Sequence, residues 1–341
     1  MAANRDPFEV LTEKWTPELR KAFLDAVYEI RGRVNVDLIA RLLKDGQIDQ
    51  AVRAVGLDPL DFRALDQALT GTFNMGGSLF GDTIPAIRNA AGAVIKFQFD
   101  VRNLRAEQWT REKSSTLITE IINDQKVAIR NHLVAGLEAG KNPRTTALEL
   151  VGRRNPTTGT RDGGVIGLTS GQEGWQRRYS DELASSNPAD LKAALGRGLR
   201  DKRFDGAINK AIRTGEPIPA ETQAKMRLAY RNKSLKYRAD VISRNETIRA
   251  LGASQHEAYS QAIDKGIVKA ETITRFWVTA GDERVRHTHR LIPGMNKDGV
   301  GWQEAFKTPT GPTMHAPHSV DVMCRCRERI EIDRFAGFRR G

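Results

Sequence analysis

Two cysteines, Cys324 and Cys326, are all that the 341 residues contain. With a single residue between them they are poorly placed for an ordinary disulfide, so no oxidised framework is expected to hold the fold. Aromatic side chains are also scarce, at 6%, which favours helical packing over a sandwich of strands. No run approaches the roughly 20 apolar residues needed to cross a bilayer. Met1 to Asp6 lack the apolar core of a secretion signal, so a chain made and used in a cytoplasm, without a membrane partner, is expected. Several catalytic signatures are missing as well. No Gly-Lys-Ser/Thr cradles a nucleotide phosphate, and no Gly-x-Ser-x-Gly presents a nucleophilic serine. Helix-turn-helix and zinc-finger spacings are absent, which sets aside a free DNA-binding regulator.

What the chain does have is apolar material for more than one core, and positive charge. It is 39% hydrophobic and 28% charged, and its length exceeds what one core usually serves, so two or three domains are expected. The formal net charge is +12, and residues 196–249 alone hold fourteen Lys and Arg against six Asp and Glu. A basic helical face can neutralise phosphates without reading bases. The residues assigned to non-specific contact with double-stranded DNA are Arg197, Arg200, Lys202, Arg203, Arg227, Arg231, Lys233, Lys236 and Arg238. Phe204, Tyr230 and Tyr237 are too few to make a stacking platform for single strands.

Periodicity predicts mostly helix. Thr16-Pro17-Glu18 reads as a helix start, followed by a buried stripe of Leu19, Phe23, Val27 and Ile30. Helices are predicted over 36–43 and 48–55 and after Asp58-Pro59, with the glycines of 71–81 closing this first unit. A further helix is predicted over 87–95. The longest pattern, 112–139, ends at Gly140, and Asn142-Pro143 and Asn187-Pro188 open shorter helices. A glycine-rich loop or hairpin separates them over 156–174. After a helical run from Glu221 to Ala262, β-branched and aromatic residues over 272–278 and 326–332 predict two strands. The expected architecture is mainly α with a small α+β C-terminal module, multi-domain, on an elongated helical body. Its parts are an N-terminal helical unit (1–95), a helical middle region with a basic face (96–265) and the module (266–341).

The most specific text lies in that module. Trp277 is followed by Asp282-x-Arg284-x-Arg286-x-x-His289, then Gly294, and finally Cys324-Arg325-Cys326. Upstream, Ala239-Asp240-Val241-Ile242-Ser243-Arg244-Asn245-Glu246-Thr247 forms a second block. Together these resemble the phage head-morphogenesis family, the F-like minor head proteins of Mu-type phages, over roughly residue 97 to the end. In the second block Asn245 stands where the family has a threonine. The resemblance implies a protein of the phage head, located in the virion and in the host cytoplasm during assembly. Its implied partners are the portal protein, other capsid or scaffold proteins and the packaged DNA, and its implied work is head assembly and DNA packaging or ejection.

Some relatives carry a Cys-x-x-Cys and a His-Pro-x-Cys that look like a metal-ligand set. This chain departs from them, with Arg286 and His289 at the positions of the first pair. A zinc ion on His287, His289, Cys324 and Cys326, with His315 and His318 nearby, is the less favoured reading. The favoured one has no cofactor: His289 and the arginines hydrogen-bond the turn, and the cysteines pack as small buried groups. Asp282, Arg284, Arg286, His287 and His289 could also form a nuclease-like site with histidine as general base. The preferred role for Trp277, Asp282, Arg284, Arg286, His289, Gly294, Cys324, Arg325 and Cys326 is architectural, with ion pairs either within the turn or to the Cys-Arg-Cys strand. Glu246 is a further candidate acid, without a second glutamate motif to support it.

Overall fold

A computed structural model describes residues 6–88, 91–316 and 321–333. It is mainly helical, with a small three-stranded sheet near the C-terminus. In chain order the described helices are α1 (Pro7–Arg33), α2 (Val36–Lys44), α3 (Ile48–Ala54), α4 (Arg63–Asp82), α5 (Leu104–Glu138) and α6 (Pro143–Val151). They continue as α7 (Ser170–Ala184), α8 (Pro188–Gly196), α9 (Asp205–Thr214), α10 (Ala220–Asp264) and α11 (His287–Met295). Strands β1 (Ile87–Arg88) and β2 (Val94–Ile95) form one antiparallel hairpin, and β3 (Arg153–Arg154) and β4 (Arg161–Asp162) another. The sheet has β5 (Ile273–Val278) at its centre, antiparallel to both β6 (Val300–Gly301) and β7 (Arg327–Ile332).

Two compact units divide the chain. One gathers Met1–Leu19, Leu65–Ser114 and Val241–Gly341, the other Arg20–Ala64 and Ser115–Asp240. Because α1, α4, α5 and α10 each run across a unit boundary, both units draw on segments distant in sequence, and neither coincides with the parts 1–95, 96–265 and 266–341.

The first unit has a core of Phe8, Leu11, Phe80, Ile84, Phe97, Ile248, Leu251, Tyr259, Val268 and Ile273. The glycines expected to close a unit lie inside α4, where they are packing positions. A Cβ on Gly76 would fall 2.3 Å from Ser254 Oγ, and one on Gly77 would fall 2.3 Å from the Phe99 ring. α4 keeps its helix while other segments approach its backbone. Pro17 likewise lies within α1 rather than at its start, because Asp6-Pro7 supplies the same signal earlier, with Asp6 Oδ1 accepting from the Phe8 N–H at 2.8 Å. The helix predicted over 87–95 is the hairpin β1–β2: Ile87 pairs with Ile95, and Gly92 at φ +80° makes a turn no helix can hold.

In the second unit one core cluster joins Tyr179, Leu183, Leu191, Ile208, Ile218, Met226 and Tyr230 from α7 to α10. Arg31 is fully buried there and donates to the carbonyls of Arg161, Gly164 and Ile166, tying the glycine-rich loop to α1.

Candidate functional site

The strand β5 alternates inward and outward, which turns Ile273, Arg275 and Trp277 to the interior. Trp277 joins Ile292, Val300, Phe306, Ala316, Cys324 and Cys326 in a small core. Arg275 is a charge at an apolar position, and burying it requires full compensation. It receives that from Glu328 at 3.2 Å and from the carbonyls of Gly301, Glu304 and Met314. Sequence reading missed Arg275, since in the text of β5 it looks like a solvent-facing residue.

The motif residues then divide by placement. Asp282 receives both hydrogen bonds of its pair from Arg325, at 2.6 and 2.7 Å, which holds its carboxyl below the usual range. It also accepts from the Arg284 N–H at 3.1 Å, so the acid fixes its own turn and reaches the Cys-Arg-Cys segment together. The pair is half-exposed on both sides. Arg286 donates to the Val322 carbonyl, and the side chains of Arg284 and His287 are exposed. Gly294 lies in α11, and a Cβ there would meet nothing within 4 Å, so no turn requires it. The element read as a turn is thus half helix: α11 begins at His287 and presents His289 inward.

Around His289 the donors converge. Its Nε2 lies 3.2 Å from Asp321 Oδ2, and its Nδ1 lies 3.4 Å from Cys324 Sγ and 3.5 Å from Cys326 Sγ. The ring meets Trp277 edge-on at 5.9 Å. Met323, at φ +60°, bends the chain into Cys324, and its N–H is taken by Asn245 Oδ1 at 2.7 Å. Asn245, from the second sequence block, therefore supports the loop that presents the sulfurs. The Cys326 N–H points at Cys324 Sγ from 3.4 Å. Facing Cys326 and that N–H, with His289 beside it, the Cys324 thiol is lowered to about 6, while Cys326, facing the same sulfur, is pushed up.

His289, Cys324 and Cys326 are all buried and form a group that could hold a metal ion. Their spacing suits one. Zinc–sulfur and zinc–nitrogen bonds of about 2.3 and 2.0 Å at tetrahedral angles put sulfur and nitrogen about 3.6 Å apart. One Nδ1 lone pair can accept from one thiol, yet two sulfurs face it. The second ring nitrogen on a carboxylate is the usual support of a ligating histidine. His287 and His315 stand outside this group, and His318 lies outside the described residues. The nuclease-like set is not assembled among the described residues, since Asp282 is committed to Arg325, His289 faces inward and His287 faces solvent.

The residues assigned to DNA in the middle region are placed unevenly. Arg197 pairs with Glu182, Arg200 with Asp205 at 2.9 Å and Arg203 with Asp201 at 2.6 Å. Arg227 donates to Gln223 Oε1 at 3.1 Å and Lys233 to the Arg200 carbonyl at 2.9 Å. Arg231 is half-buried, bonded to the Gly163 carbonyl at 3.3 Å, its pKa lowered by burial. Arg238 is buried between Asp124 and the Gly167 carbonyl, and burial lowers it to about 10. Buried Arg238 cannot form part of a basic face, while Lys202 and Lys236 are exposed.

Comparison with protein-family models, with curated proteins and with solved structures finds no match to this chain. No helix among the described residues is long and apolar enough to cross a membrane.

Proposed function

We propose that this chain is a minor head protein of a tailed phage, associated with the portal and the capsid interior, that assists head assembly and DNA packaging or ejection. The observation that carries this reading is the use of the motif residues: Asp282, Arg286 and His289 all engage the 321–326 segment and one another's neighbours. Side chains spent on internal contacts support an architectural role for the motif, as a structural protein requires, rather than a reaction centre. The resemblance to the head-morphogenesis family rests on these same residues.

Zinc is the metal that suits the His289, Cys324 and Cys326 set, because thiolate and imidazole are its preferred donors. In a module with a small core, such an ion would lock α11 to the Cys-Arg-Cys segment. Contact with packaged DNA is non-specific and falls to exposed side chains such as Lys202 and Lys236.

Co-expression with a tailed-phage portal protein from the same genome tests the reading. The chain co-purifies with the portal at fixed stoichiometry and cleaves neither duplex nor single-stranded DNA. Cleavage that disappears in a His289→Ala protein of unchanged melting temperature would contradict it.

A further inference from the structure

Within the unit containing the C-terminal module, a cavity of about 630 Å³ is lined by Arg105, Trp109 and Lys113 of α5, by Arg249, Gly252 and His256 of α10, and by His315. Its size falls in the range of small-molecule sites. The two helices run antiparallel along it, since Lys113 pairs with Glu246 at 3.4 Å and Arg105 with Glu257 at 3.1 Å. One end therefore holds Lys113 and Arg249, which flank Glu246. The other holds His256 and His315, two helical turns on, about 10 Å away.

The histidine end is built from packed rings. His256 stacks on Trp302 at 4.1 Å and meets His315 edge-on at 4.6 Å. Its Nε2 is shielded from solvent and has no hydrogen-bond partner among the described residues. That atom is out of a ligand's reach, so hydrogen bonding at this end of the cavity falls to His315. His315 is oriented from behind: its Nδ1 lies 3.5 Å from Glu328, which is itself held by Arg275 and by the Ala316 N–H. That leaves the other nitrogen of His315 for the cavity.

Between the ends the wall is flat. Gly252 sits in the interior of α10, where glycine is a poor helix former. A Cβ there would meet only the Ala316 carbonyl, at 3.8 Å, so packing does not demand glycine. The bare backbone leaves space beside Trp109.

We propose that this cavity binds a nucleoside 5′-phosphate. The phosphate lies at Lys113 and Arg249, the base lies over Gly252 beside Trp109, and the base edge meets His315, with the His256 ring closing that end. A compact anion, a flat body and a polar edge, in this order over about 10 Å, are the parts of such a molecule, and proteins read bases by stacking and edge hydrogen bonds. The same chemistry is offered by a free nucleotide and by the phosphorylated end of a DNA strand.

Tryptophan fluorescence and calorimetry on the full chain test this with the four common nucleoside 5′-monophosphates, the bare nucleosides, inorganic phosphate and a 5′-phosphorylated oligodeoxynucleotide. At least one monophosphate, or the oligonucleotide, binds one to one and at least tenfold tighter than nucleoside or phosphate alone. The tighter of the two identifies the source. Gly252→Leu reduces binding more than tenfold with a melting temperature at or above that of the wild type, and Lys113→Gln weakens the phosphorylated ligands but not the nucleosides. Absence of saturable binding by any phosphorylated probe, or full binding by a folded Gly252→Leu protein, would overturn the proposal.

Discussion

His289 turns its Nδ1 toward Cys324 Sγ, 3.4 Å away, while its opposite ring nitrogen lies 3.2 Å from Asp321. A carboxylate on Nε2 fixes the proton there and leaves the Nδ1 lone pair aimed at two sulfurs. The purified protein is accordingly expected to contain about one zinc per chain, and Cys326→Ser to lose it. If free zinc stands at 100 to 1,000 times Kd, chelation removes about 3–4 kcal/mol of stability. Atomic absorption together with thermal melting in a chelator checks this. A metal-free protein whose melting is unchanged by chelator would return the cysteines to simple packing.

His132 supplies a pH dependence in the second unit. It is buried near Glu149 and Glu173, and burial, with Arg231 adding to it, lowers its pKa to about 4. The unfolded chain then binds the extra proton between roughly pH 6.5 and 4, so stability is complete above that window and is lost as pH falls through it. A shift of this size corresponds to about 3 kcal/mol. His256, also lowered to about 4, acts in the same direction. Denaturant titrations at pH 7 and pH 4.5 should show the drop, and His132→Gln should remove about half of it. An equal drop in the variant would assign the effect elsewhere.

Arg31 gives a mutational test of the loop that it holds. Three carbonyls, of Arg161, Gly164 and Ile166, accept from its guanidinium at 2.6–2.9 Å. Arg31→Met strands all three acceptors and is expected to cost about 3 kcal/mol or more. Lysine does not rescue it, because one ammonium cannot reproduce the planar fork. A loss below about 1 kcal/mol by denaturant unfolding would show that the loop finds other donors.

Much of the helical framework was legible because its signals are local. Asn142-Pro143 and Asn187-Pro188 cap α6 and α8 as their spelling suggests, with Asn187 Oδ1 accepting from the Ala189 N–H at 2.9 Å. Strand β5 was visible in its β-branched run. What stayed hidden depends on partners distant in sequence. Gly76 reads as a helix breaker until Ser254 is seen against it. Arg238 reads like its exposed neighbours, and Asp124 on α5 together with the Gly167 carbonyl makes its burial tolerable. The cysteines are buried as read, and their grouping with His289 was the less favoured reading; the bend at Met323 and its support by Asn245, which no spacing rule reports, were not visible.

Exposed and buried basic residues of the middle region predict opposite outcomes. Lys202→Gln and Lys236→Gln remove exposed cations and should each lower the salt dependence of duplex binding by about one unit of slope, with melting unchanged. Arg238→Gln, by contrast, should lower the melting temperature, because Asp124 and the Gly167 carbonyl lose a buried donor. Fluorescence anisotropy across a salt series measures the first and calorimetry the second. An unaltered slope would transfer the exposed charge to an acidic protein partner.

The claim that this chain belongs to a phage head is tested most directly by counting it. If it does, quantitative mass spectrometry of purified phage particles and proheads from its source should find a few copies per particle, in constant ratio to the portal protein. Its absence from both particles and proheads, with the protein abundant in the infected cell, would contradict the account.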